Sequence, residues 1–212
     1  CAFKVRGGLN LVGSLTAELP PGTFVLVDQF VDRTFARAKT FFEPGLVAHV
    51  SVANPVCSRL AHLIEVTARE LALPLVRGGT YLVMEGPQFS TRAESQLYRS
   101  WGMSVIGMTN MPEAKLAREA ELCYASVAMV TDFDCWHPEH GNVSVDEVVR
   151  VLTRNADAAR RLVAGTIPRL AARSAGCPEG CERALDGAIM TAPEARDQAV
   201  VERLRSIAGR VL

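Results

Sequence analysis

The chain has 212 residues, 49% of them apolar, with 23 basic residues balanced by 23 acidic ones. That apolar content argues against a disordered chain, and the even charge argues against a nucleic-acid surface or a polyanion partner. No apolar run approaches a membrane span, and no charged stretch leads into the apolar core of a secretion signal, so the expectation is a soluble cytoplasmic protein.

Pro20, Pro21 and Gly22 form a turn signal ahead of a β-rich run over Thr23 to Thr34. VAHVSV, Val47 to Val52, alternates like a strand. Leu60, Leu63, Ile64 and Leu71 recur at helical spacing, which predicts a helix from Ser58 to Leu73 closed by Pro74. Tyr81 to Glu85 reads as a short strand. Thr91 and Glu94 form a capping box for a helix that runs to Trp101 and stops at Gly102. Met103 to Thr109 is a buried strand, Pro112 opens a helix through Glu121, and Cys123 to Thr131 is the next strand. Ser144 caps a long amphipathic helix carrying Val148, Val151, Leu152 and Leu162, and a last helix spans about Glu194 to Ile207. Strands alternating with helices predict a single α/β domain over 1–212, and adjacent strand signals near its start predict a mixed sheet.

Six cysteines raise the question of a metal or a disulfide framework. Cys57, Cys123 and Cys135 lie in or beside apolar segments, where a thiol behaves as a small hydrophobe. Cys177 and Cys181 are the only close pair, without the second pair that structural zinc needs. The reading is therefore plain thiols, with no metal site.

Ligands of α/β sheets bind beyond the carboxyl ends of strands, and three such places are polar here. In Met84 to Ser95, Phe89 and Ser90 stand at a helix mouth, where free N–H groups and an aromatic ring could receive a flat base. A capped helix with Phe89 as its hydrophobic staple is the simpler alternative. Met108 and Thr109 end a strand, where a methionine can pack on a sugar and a hydroxyl can bond an anion. In TDFDCW, Asp132 and Asp134 share one face if the strand continues, a pairing suited to holding a base and donating a proton. Trp136 beside them favours that reading over a surface turn.

The stretches MEGPQFSTRAES, VIGMTNMPEAKLAREAELCYASVAMVTDFDCW and VSVDEVV resemble the methylthioadenosine phosphorylases of the trimeric purine-nucleoside phosphorylase family, and the likeness runs from about Gly13 onward. The resemblance implies a phosphorylase/hydrolase-like mixed twisted sheet flanked by helices. It implies phosphorolysis of an adenine nucleoside without a cofactor, inorganic phosphate being a co-substrate, and a homotrimer with no nucleic-acid or membrane partner. By the same resemblance, Phe89 packs against the purine and Met108 against the ribose. Asp132 and Asp134 recognise the adenine edge, and Asp132 protonates the leaving purine. Ser90 stands where enzymes for 6-oxopurines carry a glutamate. Val145 and Val148 wall the 5'-methylthio group, and His49 enters that pocket across the trimer interface. Thr109 matches a phosphate ligand. Asn10 and Leu11 stand where the family has a small polar residue and an alanine in contact with substrate.

The family's glycine-rich strand end and Arg-His phosphate pair do not occur in these 212 residues, and the chain opens on Cys1 rather than Met. The expectation is that an N-terminal phosphate-binding segment is missing or diverged. A methylthioinosine or general purine-nucleoside phosphorylase, or a non-catalytic remnant, are the alternatives. The aspartate pair weighs against a 6-oxopurine, whose carbonyl would face a carboxylate.

Overall fold

The computed structural model describes residues 11–137, 145–171 and 176–212, with the backbone alone at Leu11 and at 145–148. Seven strands, β1 (Leu11–Ser14), β2 (Phe24–Val27), β3 (Gln29–Asp32), β4 (Leu75–Arg77), β5 (Thr80–Val83), β6 (Val105–Gly107) and β7 (Ser126–Phe133), form one sheet in the order β3-β5-β6-β1-β7-β2-β4. The sheet is mixed, as the sequence predicts: β1 runs parallel to β7 but antiparallel to β6, and β2 runs antiparallel to β7. Five helices accompany it among the described residues: α1 (Ser58–Glu70), α2 (Arg92–Ser100), α3 (Glu113–Glu119), α4 (Val145–Ala171) and α5 (Gln198–Ala208).

Side-chain alternation along the central strands fills two separate cores. Phe24, Leu26 and Met129 face a layer made with Leu60, Ile64 and Ala68 of α1 and Leu162 of α4. Their neighbours Val25, Val27, Ala128 and Val130 join Val12, Tyr81, Val83 and Val105 on the other side. A strand buried on both faces needs apolar residues at both parities, which is why β2 and the Val127 to Val130 stretch of β7 read as unbroken apolar runs.

Several boundaries differ from the sequence reading. The run Thr23 to Thr34 is two strands, because the chain leaves β2 after Val27 and pairs again as β3 with β5. VAHVSV is not a strand: Ala48 makes one isolated bridge with Ile189, and Leu46, Ala48 and Val50 pack under Leu185, Val200 and Leu204. Its alternation buries one side of an extended loop against α5. The last helix starts at Gln198, capped by Asp197, with a 3-10 turn at Pro193–Ala195 ahead of it. The capping box at Thr91 and Glu94 is formed as predicted. Ser144, the predicted cap of α4, lies outside the described residues.

Candidate active site

β7 ends at Phe133, so Asp132 lies on the strand and Asp134 just beyond it. A register irregularity between Val12 and Gly13 pairs Gly13 with Asp132 and leaves Thr131 as the extra residue on β7. A bulge at a strand end re-aims the side chains that follow. Both aspartates then flank Gly13: a Cβ there would stand 3.2 Å from Asp132 Oδ1 and 3.1 Å from Asp134 Cβ. The absence of a side chain at 13 leaves room for the pair. Beyond the strand, the carbonyl of Ser14 accepts from the Asp134 amide at 3.1 Å and from the Trp136 indole at 2.7 Å, so β1 holds this turn in place.

Burial pushes the Asp132 carboxyl up from its ordinary range. A hydrogen bond from Thr131 Oγ1, 2.7 Å long, opposes that push, and the nearby charge of Asp134 adds to it. Asp134 Oδ2 accepts from Ser90 Oγ at 3.3 Å, which ties the β7 turn to the mouth of α2. Phe89 next to it is 83% exposed, so it does not staple the helix and its ring is available to a ligand.

Met108 follows β6 and lies against the β5 turn: a side chain on Gly86 would meet its sulfur at 2.6 Å. Thr109 Oγ1 is 3.2 Å from the Tyr81 hydroxyl. Burial pushes the Tyr81 phenol up to about 12, so it stays neutral beside that threonine at physiological pH.

Arg37, which carries no motif, organises these turns. Its Nη1 donates to the carbonyls of Met108 (2.9 Å) and Met111 (2.6 Å), and its Nη2 to those of Met84 (3.2 Å) and Glu85 (2.7 Å). Its Nε donates to Glu85 Oε1 at 3.1 Å. All donors of the guanidinium fork are engaged, and the ends of β5 and β6 are fixed to each other. Neither Arg37 nor Gly13 stood out in the sequence, because each acts only through a neighbour that the fold supplies.

The structure thus brings together Ser90, Asp132 and Asp134, while Met108 and Thr109 follow the carboxyl end of β6, which runs antiparallel to β7 in the sheet. His49 is exposed, its amide donating to the Ala188 carbonyl, so it is not a core histidine. Asn10 and the side chains of Leu11, Val145 and Val148 lie outside the described residues.

Residues 8–168 match the family described as the phosphorylase superfamily. The chain belongs to the phosphorylase superfamily. Relatives of this superfamily member include the S-methyl-5'-thioadenosine phosphorylases of Rhodospirillum rubrum and Cereibacter sphaeroides. The first is 61% identical over 204 residues, 96% of this chain and 69% of the relative. The second is 61% identical over 216 residues, covering 100% of this chain and 74% of the relative. Among solved structures, a methylthioadenosine phosphorylase from an antarctic soil metagenomic library superposes with a TM-score of 0.86 at 42% identity, over 93% of this chain and 69% of that one. The Schistosoma mansoni methylthioadenosine phosphorylase in complex with adenine gives a TM-score of 0.79 at 32% identity, over 86% of this chain and 71% of that one.

Proposed function

We propose that this phosphorylase splits S-methyl-5'-thioadenosine with inorganic phosphate, releasing adenine and 5-methylthioribose 1-phosphate in purine and methionine salvage. The relatives named for that reaction support the substrate. The observation that carries the mechanism is the carboxyl pair at the end of β7, with Asp132 held toward its protonated form by burial.

In this reading the bond between the anomeric carbon and the purine breaks as a phosphate oxygen approaches that carbon from the other side. The bonding electrons leave with the purine, protonated Asp132 delivers its proton there, and solvent later restores it. Asp134, oriented by Ser90, accepts from the amino edge of adenine. Phe89 covers the base and Met108 the ribose. Thr109 holds phosphate together with Asn10 and Leu11. Val145 and Val148 form the apolar wall around the 5'-methylthio group, and His49 reaches that wall from a neighbouring subunit of a homotrimer. The reaction requires positioning and charge stabilisation rather than a cofactor. We place the enzyme in the cytoplasm; no helix among the described residues is long and apolar enough to cross a membrane.

Incubating the protein, expressed from its intact gene, with methylthioadenosine and phosphate should release adenine and the sugar phosphate in equal amounts. Adenine release at the same rate without phosphate would replace phosphorolysis by hydrolysis.

A further inference from the structure

Four cysteines from three separate segments converge at the opposite end of β7 from Asp132. The sulfurs of Cys57, Cys123, Cys177 and Cys181 all lie within 4.8 Å of one another, and all four residues are buried. The second pair that the sequence did not reveal is Cys57, at the N-cap of α1, with Cys123, just ahead of β7. The turn between Cys177 and Cys181 closes through Gly180, whose φ of 63° suits a residue without a side chain. Its amide donates to the Cys177 carbonyl at 2.9 Å.

The spacing matches a ligand cage better than packed thiols or a disulfide. Cys57 and Cys177 sulfurs are 3.6 Å apart, whereas a disulfide needs about 2.05 Å. Bonds of about 2.3 Å to a tetrahedral ion put thiolate sulfurs roughly 3.8 Å from one another. The cage leaves no room for a multi-iron cluster. Its surroundings suit anionic sulfur: the Leu60 amide donates to Cys57 Sγ at 3.5 Å, and Arg59 Nη2 stands 3.7 Å from Cys123 Sγ. Cys57 also meets the positive end of the α1 dipole.

We propose that Cys57, Cys123, Cys177 and Cys181 form a tetrathiolate site for one divalent ion of the zinc class. Binding releases the four thiol protons to solvent, and the resulting doubly negative centre is partly offset by Arg59 and the helix end. With all four positions taken by protein there is no open coordination site, so the ion is structural. It joins α1, the entry to β7 and the turn that leads on to α5. The site is independent of the substrate reading above.

Protein purified under reducing conditions from zinc-supplemented cells should carry one zinc per chain by elemental mass spectrometry. After chelation, cobalt(II) should bind with the thiolate charge-transfer and ligand-field bands of a tetrahedral sulfur site. Cys181→Ser should weaken zinc retention and alter the cobalt spectrum. Cobalt titration of the unmutated protein keeps the test decisive if that variant fails to fold. Absence of retained zinc together with a non-tetrahedral cobalt spectrum would overturn the proposal. So would a disulfide within the set in freshly isolated, metal-free protein.

Discussion

Asp132 sits under opposing influences, burial and the Asp134 charge raising its pKa and the Thr131 hydroxyl lowering it, and the first two prevail. The sign of the pH effect follows. Between the ordinary carboxylate value, about 3.9, and the raised folded value, the native state holds a proton that the unfolded chain has lost. Native stability therefore falls as pH rises through this window. Asp132→Asn cannot ionise, so its unfolding free energy relative to the unmutated protein should rise from pH 4 upward and level off above the folded pKa. Urea unfolding at a series of pH values measures this, and a difference independent of pH would mean that burial does not perturb the carboxyl. The spacing of Asp132 and Asp134 and their place at the end of an apolar strand were legible in the sequence. The bulge at Thr131 was not, since it depends on the register against β1. Ser90 was placed near the base by resemblance, but its bond to Asp134 required the α2 mouth and the β7 turn to meet in space.

At the scale of elements, local signals located the helices better than the strands. The Thr91 capping box and the Gly102 stop are contained within a few residues, and both ends of α2 form where they predict. Strand ends depend on partners. Thr23 to Thr34 has continuous β character but serves two positions in the sheet, and VAHVSV found α5 rather than a neighbouring strand. A polar link then fixes β3 to α3. Lys115 Nζ lies 2.5 Å from Asp32 Oδ2, while Asp32 Oδ1 accepts from the Thr34 amide and hydroxyl. Desolvation opposes ionisation of Asp32, but these partners outweigh it and lower its pKa to about 2. A depressed carboxylate contributes stability above its ordinary pKa and loses it as pH falls toward the folded one. Asp32→Asn should therefore cost on the order of 1–2 kcal/mol at neutral pH, with solvent screening part of the effect. The gap between variant and parent should close between about pH 4 and pH 2. Thermal unfolding over that range tests it, and a gap that persists at the acid end would assign the loss to packing instead.

For the molecule as a whole, fold class followed from strands alternating with helices, and the motifs between Met84 and Trp136 led to the superfamily that residues 8–168 match. The tertiary cysteine cluster was hidden because its members come from three separate segments. Arg37 was hidden for a related reason: apart from Glu85, its partners are backbone carbonyls, which leave no mark in side-chain patterns. The two carboxylates, by contrast, carry the functional reading, because an amino edge suits a charged acceptor and a 6-oxo edge does not. The most direct test is the ratio of kcat/KM for methylthioadenosine to that for methylthioinosine, in the protein expressed from its intact gene and in its Asp134→Asn variant. The parent should favour methylthioadenosine, and the variant should shift toward methylthioinosine, because an amide can donate to the 6-oxo system. A parent that prefers methylthioinosine, or a variant that loses both activities in equal proportion, would contradict the assignment of base choice to this pair.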